Sequence, residues 1–132
     1  MSAVDDHLAA ARADLTRIDP LAANALHERG EAVFIDIRPV VNRLEEGEIP
    51  GSIPVERIHL EWRLDPAGDH RIPGFDADST VIVLCNEGYA SSFAARDIKA
   101  LGLPHATDLI GGFRAWHAAG LPVRDGGTPA VP

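Results

Sequence analysis

The only cysteine of the chain, Cys85, lies in a stretch whose residue types could perform covalent chemistry. The four residues before it, 81–84, are apolar and mostly β-branched, which predicts a buried strand that ends at the cysteine. Ser91 and Ser92 then predict the start of an amphipathic helix, because a serine hydroxyl can accept an unpaired N–H of the first turn. A cysteine between a strand end and a helix start occupies the crevice where open parallel α/β sheets bind ligands.

The short loop after this cysteine favours a reactive thiol. A loop that curls around the sulfur can point several backbone N–H groups at it, and the positive end of the next helix adds to their effect. Both favour the thiolate, which is the nucleophilic form. Gly88 can take the positive φ that so short a loop needs. The alternative is that Cys85 is a small buried apolar residue, as free cysteines often are, and the loop favours the functional interpretation.

Asp36 and Arg38 are candidates for supporting roles. They lie at the end of a second apolar run, residues 32–36, and parallel strands end at the same edge of a sheet. Arg38 either lends positive potential to the site or forms an ion pair that braces the loops, and we favour the bracing role. Tyr89, at the tip of the cysteine loop, either lines the mouth of the site or is simply exposed.

Metal and cofactor chemistry has no support in the sequence. None of the six histidines forms a pair at i, i+3 or i+4, and the single cysteine has no partner, so no zinc or iron site is expected. No glycine-rich phosphate loop is present, and Gly111-Gly112 is interpreted as a tight turn. We expect no cofactor.

Composition restricts the class of protein. A length of 132 residues suits one domain, and a net charge of −8 argues against nucleic acid or an anionic membrane as a partner. One cysteine excludes an internal disulfide, which favours a reducing compartment. No apolar run is long enough for a signal peptide or a membrane span, so we expect a cytoplasmic protein.

Strands alternate with helices along the chain, which predicts an α/β fold with a mostly parallel sheet. Trp62 and Trp116 are expected to pack in the core or between subdomains. The predicted strands are 32–36, 81–84 and 107–110, with a short extended segment at most in 49–54; the predicted helices are 5–15, 20–29, 40–46, 56–64, 91–101 and 113–119, and 65–79 is a polar connector.

Three separated groups of motifs resemble the rhodanese-like domain family. They are similar to the family's opening motifs, its cysteine loop and its closing motifs, and they occur in the family's order and at its spacing. In this chain they are residues 33–38 (VFIDIR) with 45–52 (EEGEIPGS), residues 81–91 (VIVLCNEGYAS), and residues 109–116 (LIGGFRAW) with 119–123 (AGLPV).

The resemblance implies a single α/β rhodanese-like domain over residues 20–124, with a central, mainly parallel sheet of about five strands and helices on both faces. Residues 1–19 are then a helical N-terminal extension. Residues 125–132 are a polar tail that we expect to be disordered.

The resemblance also implies that Cys85 is a catalytic nucleophile, which takes a sulfane sulfur as a persulfide and passes it to an acceptor. The donor would be a small molecule or a protein, and the acceptor a thiol or cyanide. The loop that would bind the persulfide through its backbone N–H groups consists of Asn86, Glu87, Gly88, Tyr89, Ala90 and Ser91.

Several residues depart from the family's pattern. Asn86 and Ala90 stand where many active members carry Arg or Lys, so the loop has no cationic side chain, and Glu87 adds a negative charge. An anionic donor loses charge-assisted hydrogen bonds worth about 1.5–3 kcal/mol each, so we expect weak activity with thiosulfate. Glu48 replaces the usual His before Ile-Pro-Gly, a change that we expect to be structural.

Three other functions compete with sulfur transfer as interpretations of the sequence. A non-catalytic rhodanese-like module would use the same pocket to bind a partner protein, and a persulfide carrier would need the cysteine without affinity for anionic donors. Related phosphatases need Cys-x5-Arg to bind a tetrahedral oxyanion, and the sixth position after Cys85 is Ser91, which makes phosphatase chemistry a poor fit.

Overall fold

The computed structural model describes residues 2–132, so Met1 of the expected 1–19 extension lies outside the described residues. The predicted order of helices and strands is confirmed, with one 3₁₀ turn (Arg57–His59) before the fourth helix. In chain order the elements are α1 (Ala3–Ala13), α2 (Pro20–Glu28), β1 (Val33–Asp36), α3 (Val40–Glu46), β2 (Ile53–Pro54), α4 (Leu60–Leu64), β3 (Val81–Leu84), α5 (Ala90–Lys99), β4 (Thr107–Asp108) and α6 (Gly112–Ala118).

The sheet is parallel throughout, with the strand order β2-β1-β3-β4. β1 and β3 are central, and Val33 lies opposite Val81. The α/β prediction is therefore confirmed, but the sheet has four strands rather than about five. At the edge beyond β4, only an isolated parallel bridge between Ile18 and Leu109 continues the pairing, because Asp19-Pro20 begins α2 directly afterwards.

Helices cover both faces of the sheet, as predicted. Successive residues of β1 and β3 point to opposite faces, so each strand contributes to two apolar cores. The core on one face includes Ile35, Val81 and Val83 with residues of α4 and α5. The core on the other face includes Phe34, Ile82 and Leu84 with Ala23 of α2 and Phe113 and Trp116 of α6.

The two tryptophans differ in environment. Trp116 is fully buried, and its indole N–H donates to the carbonyl of Pro122 at 2.8 Å. Trp62 is 61% exposed, so the expectation that it packs in the core or between subdomains is wrong. α4 is only five residues long, and it buries Leu60 and Leu64 rather than the tryptophan between them.

The helix after Cys85 starts one residue earlier than predicted, and its serines do not cap it. Tyr89 occupies the N-cap position without a side-chain hydrogen bond. Ser91 and Ser92 are buried in the first turn, and both hydroxyls donate to the carboxylate of Asp108. The two hydroxyls that the local pattern predicts to cap the helix therefore donate to Asp108, a buried acceptor on β4.

The N-terminal helix α1 packs along α5. Ser2 caps it by accepting the N–H of Asp5, Ala11 is fully buried, and the rings of His7 and Phe93 stack 4.7 Å apart. The extension is therefore attached to the helix that begins at the cysteine loop.

The C-terminal segment, residues 125–132, has a defined position, which corrects the expectation of a disordered tail. Thr128 donates through its hydroxyl to Glu48 at 2.7 Å, and Val131 donates its N–H to the carbonyl of Pro54 at 2.9 Å. The polar, glycine-rich composition predicts disorder, but the buried carboxylate of Glu48 provides a partner for this segment.

Within residues 2–132, no helix is both long and apolar enough to cross a membrane.

Candidate active site

Cys85 lies directly after β3, at the carboxyl edge of the sheet, and is 9% exposed. The N–H of Gly88 donates to its Sγ at 3.2 Å. Gly88 has φ of +85°, and this left-handed conformation turns the backbone so that its N–H faces back toward the sulfur. A donor fixed in this way stabilises negative charge on the sulfur.

Two glycines allow the close approaches that shape the loop. A Cβ on Gly88 would lie 2.8 Å from the backbone nitrogen of Gly111, and one on Gly112 would lie 2.5 Å from the carbonyl oxygen of Cys85. The start of α6 anchors the loop from below, because Phe113 N–H donates to the Cys85 carbonyl at 2.8 Å and Arg114 N–H to that of Asn86 at 3.1 Å. Gly111-Gly112 therefore forms the tight turn that was predicted, and it also supports the cysteine loop.

The rest of the predicted loop lies around the cysteine with different exposures. Asn86 is half-buried, its amide donates to Glu46 at 3.0 Å, and Ser91 is buried. Glu87, Tyr89 and Ala90 are exposed, with Tyr89 58% exposed at the tip. The N–H of Tyr89 has no hydrogen-bond acceptor among residues 2–132, so it is free to donate to a ligand.

Asp36 and Arg38 are buried and engage each other. Arg38 donates from Nε and from its terminal nitrogen to the Asp36 carboxylate, at 2.8 Å for the shortest contact. It also donates to the carbonyl of Gly47 at 2.8 Å and to the side-chain oxygen of Asn86 at 3.3 Å. Arg38 therefore braces the ends of β1 and α3 against the first residue of the cysteine loop.

Sequence reasoning missed three arginines that reach the loop. Arg12 and Arg17, from the N-terminal extension, both donate to the carbonyl of Gly88. Arg114 pairs with the carboxylates of Glu46 and Glu87. Hydrogen bonding and charge attraction from Glu46, with a smaller contribution from Glu87, raise the pKa of Arg114. The negative charge of Glu87 is therefore partly neutralised.

Glu48 lies fully buried beneath this edge of the sheet. It accepts from Arg43 at 2.6 Å, from Arg124 at 3.2 Å and from Thr128 at 2.7 Å. Burial alone raises the pKa of this carboxyl, but the bonds from Thr128, Arg43 and Arg124 together with the Arg43 charge outweigh burial and hold the pKa below its usual range. These contacts support the structural role expected for Glu48.

Residues 2–132 contain no group of three or more His, Cys, Asp or Glu side chains placed to hold a metal ion. The site offers one sulfur nucleophile that accepts a backbone N–H of its own loop, an arrangement suited to nucleophilic covalent chemistry.

Comparison with known proteins identifies the family. The model of the rhodanese-like domain matches residues 19–119, and the chain belongs to that family. It is 34% identical over 107 residues to thiosulfate sulfurtransferase GlpE of Stutzerimonas stutzeri, covering 78% of this chain and 85% of the relative. It is 31% identical over 109 residues to the GlpE of Pseudomonas savastanoi, covering 80% and 90%.

Among solved structures, a Rhodopseudomonas palustris protein of unknown function, described as a possible tyrosine phosphatase, has a TM-score of 0.84 and 31% identity, covering 94% of this chain and 96% of its own.

Proposed function

We propose that this protein is a rhodanese-type sulfurtransferase, with Cys85 as the nucleophile that carries the sulfur as a persulfide. The observation that carries this proposal is the contact between Gly88 N–H and Cys85 Sγ, 3.2 Å, in a loop at the carboxyl edge of the sheet. The names of its relatives, thiosulfate sulfurtransferases, support the same chemistry.

The reaction has two half-reactions. In the first, the Cys85 thiolate attacks the sulfane sulfur of the donor, the bond from that sulfur to the rest of the donor breaks, and the remainder leaves with the bonding pair. In the second, the acceptor attacks the outer sulfur, the S–S bond breaks, and the Cys85 thiolate is regenerated. Backbone N–H groups of the loop 86–91, among them that of Tyr89, hold the charged outer sulfur between these steps, while the Gly88 N–H stays on the Cys85 sulfur.

Asp36 and Arg38 support this site indirectly. Their ion pair is fully buried, and Arg38 also holds the side chain of Asn86, the residue that follows the nucleophile. Because Arg38 is occupied by Asp36, Gly47 and Asn86, it serves the loop as a brace and is not available to bind the donor.

Thiosulfate is a usable but weak donor in this proposal. The relatives' names favour it as a donor, but no side chain of the loop 86–91 is cationic, and Arg114 is occupied by Glu46 and Glu87. The Glu87 carboxylate repels a donor with less negative charge, or a protein persulfide, less strongly than it repels thiosulfate. The acceptor is a thiol or, in an assay, cyanide. A single unpaired cysteine suits a reducing compartment, and we place the protein in the cytoplasm on that ground.

Phosphatase chemistry receives no support from the geometry. The position that requires an arginine is Ser91, whose hydroxyl donates to the buried Asp108 at 2.7 Å. The Ser91 side chain is therefore neutral and already engaged, and it cannot replace the arginine that binds an oxyanion in such enzymes.

Steady-state kinetics test the proposal. Initial rates with varied thiosulfate and cyanide should give the parallel double-reciprocal lines of a ping-pong mechanism, with thiocyanate as product. Cys85→Ser should produce no thiocyanate while it retains the wild-type circular dichroism spectrum. Intersecting lines, or turnover that survives in Cys85→Ser, would contradict a persulfide on Cys85.

A further inference from the structure

Two arginines from the N-terminal extension hold the residue that shapes the cysteine loop. A terminal nitrogen of Arg12 donates to the carbonyl of Gly88 at 2.7 Å, and one of Arg17 donates to the same carbonyl at 3.0 Å. The N–H of Gly88 donates to Cys85 Sγ at 3.2 Å. Both backbone polar groups of Gly88 are therefore fixed, one by the sulfur and the other by two guanidinium groups.

The same arginines are anchored behind the loop by buried polar groups. Nε of Arg12 donates to the hydroxyl of Ser92 at 3.0 Å, and that hydroxyl donates to Asp108 at 2.8 Å. Nε of Arg17 donates to Asp108 at 2.8 Å, and Asp108 is fully buried. A satisfied network of this kind, built on the buried Ser92 and Asp108 with both arginines partly buried, holds its members in one arrangement. We call Arg12, Arg17, Ser92 and Asp108 the arginine clamp.

We infer that Arg12 and Arg17 are positioning residues for sulfur transfer: through the clamp they hold Gly88 so that its N–H stays on the sulfur of Cys85. This inference rests on the proposed function. The hydrogen bonds from the guanidinium groups are charge-assisted and therefore stronger than neutral ones. They also polarise the peptide that joins Gly88 to Tyr89, which makes the unpartnered N–H of Tyr89 a better donor to the outer sulfur.

The clamp supplies to this loop what its own side chains lack. Cationic side chains are absent from residues 86–91. Residue 88 is a glycine, the residue type that loses most backbone conformational freedom when it is fixed in one conformation. Tyr89, the next residue, is 58% exposed and contacts the Arg12 guanidinium with its ring, at 5.6 Å from the centroid. Without Arg12 and Arg17, little on the outer side would keep the loop closed on the cysteine.

A purely structural role is the competing explanation, in which the arginines only attach the N-terminal extension to α5 and β4. Two readouts separate the roles. The docking of α1 is reported by the NMR signals of His7 and Phe93, whose rings stack in the structure. The state of the loop is reported by hydrogen exchange of the Gly88 amide and by the rate at which a persulfide donor adds one sulfur to Cys85, followed by intact mass.

The experiment compares Arg12→Met and Arg12→Lys with Arg29→Met. Methionine keeps the helix propensity and much of the apolar stem of arginine. Arg29 is a matched control, because it is an exposed arginine that pairs with Glu31. It lies at the end of α2, just before β1 begins, and therefore at the edge of the sheet opposite to Cys85. In Arg12→Met we expect Gly88 exchange to be about tenfold faster and sulfur uptake about tenfold slower, with α1 still docked. Arg29→Met should match the wild type.

Arg12→Lys should give an intermediate rate of sulfur uptake, because one ammonium cannot reproduce the forked contact with both Gly88 and Ser92. If Arg12→Met undocks α1, this lysine variant decides the question, since it keeps the charge and the stem. If the lysine variant then shows the wild-type rate of sulfur uptake and the wild-type rate of Gly88 amide exchange, the proposed role of Arg12 is contradicted.

The two proposals fail in different ways. If the wild type takes up no sulfur from any donor, the proposed function fails. If the wild type takes up sulfur and Arg12→Met does so at the same rate with unchanged Gly88 exchange, the clamp fails and the proposed function stands.

Discussion

At the scale of single residues, the candidate site depends on positions where a side chain is missing. At the cysteine loop, Gly88 and Gly112 let neighbouring backbone segments approach so closely that a Cβ at either position would clash. Ala90 leaves the loop mouth without the cation that many family members carry. The nucleophile itself is one atom, but its reactivity depends on these backbone positions.

Gly88→Ala should abolish most sulfur uptake by Cys85. An alanine there must adopt φ near +85° and place its Cβ 2.8 Å from the backbone nitrogen of Gly111, so the loop must move away from the sulfur. Gly30→Ala is the control, because Gly30 also has a positive φ, +68°, but nothing lies within 4 Å of the added Cβ. Both variants carry about 1 kcal/mol of backbone strain. Intact-mass kinetics that are equal in the two variants would refute the role of Gly88.

Ala90→Arg should increase kcat/KM for thiosulfate about tenfold, because one charge-assisted hydrogen bond of about 1.5 kcal/mol becomes available to the anion. Ala90 is exposed, so the substitution needs no repacking. A donor without charge should show little change. Ala100→Arg adds the same charge at the other end of α5 and is the control. An equal gain in both variants would point to net charge rather than to the loop mouth.

Local sequence predicts the residues close to Cys85 but not the ones that reach it from elsewhere. The strand, the cysteine, Gly88 and the following helix form one continuous segment with recognisable patterns. Arg12 and Arg17 lie 76 and 71 positions away from the carbonyl that they contact, and nothing in the local sequence of α1 or of the connection after it distinguishes them from other arginines. Their role depends on how the N-terminal extension docks against α5 and β4, which is a tertiary property.

At the scale of elements, the carboxyl edge of the sheet is held from several directions. α6 anchors the carbonyls of Cys85 and Asn86, α3 reaches Asn86 through Glu46, and α1 reaches Gly88. The C-terminal segment closes over Glu48 on the same domain. The composition of this segment, rich in Gly and Pro, predicts disorder. Local sequence does not reveal the partner that orders Thr128, because Glu48 lies 80 residues earlier in the chain.

Thr128→Val should lower the free energy of unfolding by about 1.5–3 kcal/mol, because it removes a hydrogen bond to a buried carboxylate at nearly constant side-chain volume. Thr16→Val is the matched control: Thr16 is exposed, and its carbonyl rather than its hydroxyl makes the contact with Thr107. Urea denaturation followed by circular dichroism measures both. Equal midpoints for Thr128→Val and the wild type would contradict an ordered C-terminal segment.

At the scale of the whole molecule, the sequence predicts the layered architecture well. Alternating apolar residues in β1 and β3 build one core on each face of the sheet, and that arrangement follows from strand periodicity. The strand count is less well predicted: the resemblance implies about five strands, and beyond β4 only a single bridge at Ile18 continues the four-stranded sheet. The buried charges, including Glu48 with Arg43, follow from tertiary packing and leave no local pattern.

Acid should destabilise the molecule partly through Glu48. Its pKa is lowered from 4.5 in the folded protein, so below about pH 4.5 the unfolded chain binds a proton that the folded chain does not. The contribution of Glu48 is therefore complete above pH 4.5 and is lost as the pH falls through the folded pKa. Glu48→Gln should show a shallower loss of unfolding free energy below pH 4.5, although it is less stable at neutral pH. An equal or steeper slope in Glu48→Gln would contradict this account.

The most direct test of the central claim is the intact mass of the protein after incubation with thiosulfate, mercaptopyruvate or a low-molecular-weight persulfide, with Cys85→Ser treated in parallel. We expect a gain of one sulfur atom that is lost on addition of cyanide, with release of an equal amount of thiocyanate, and no gain in Cys85→Ser. The gain should be fastest with the persulfide and slowest with thiosulfate. The absence of an adduct with every donor would contradict sulfur transfer and leave a rhodanese-like domain that binds a partner without catalysis.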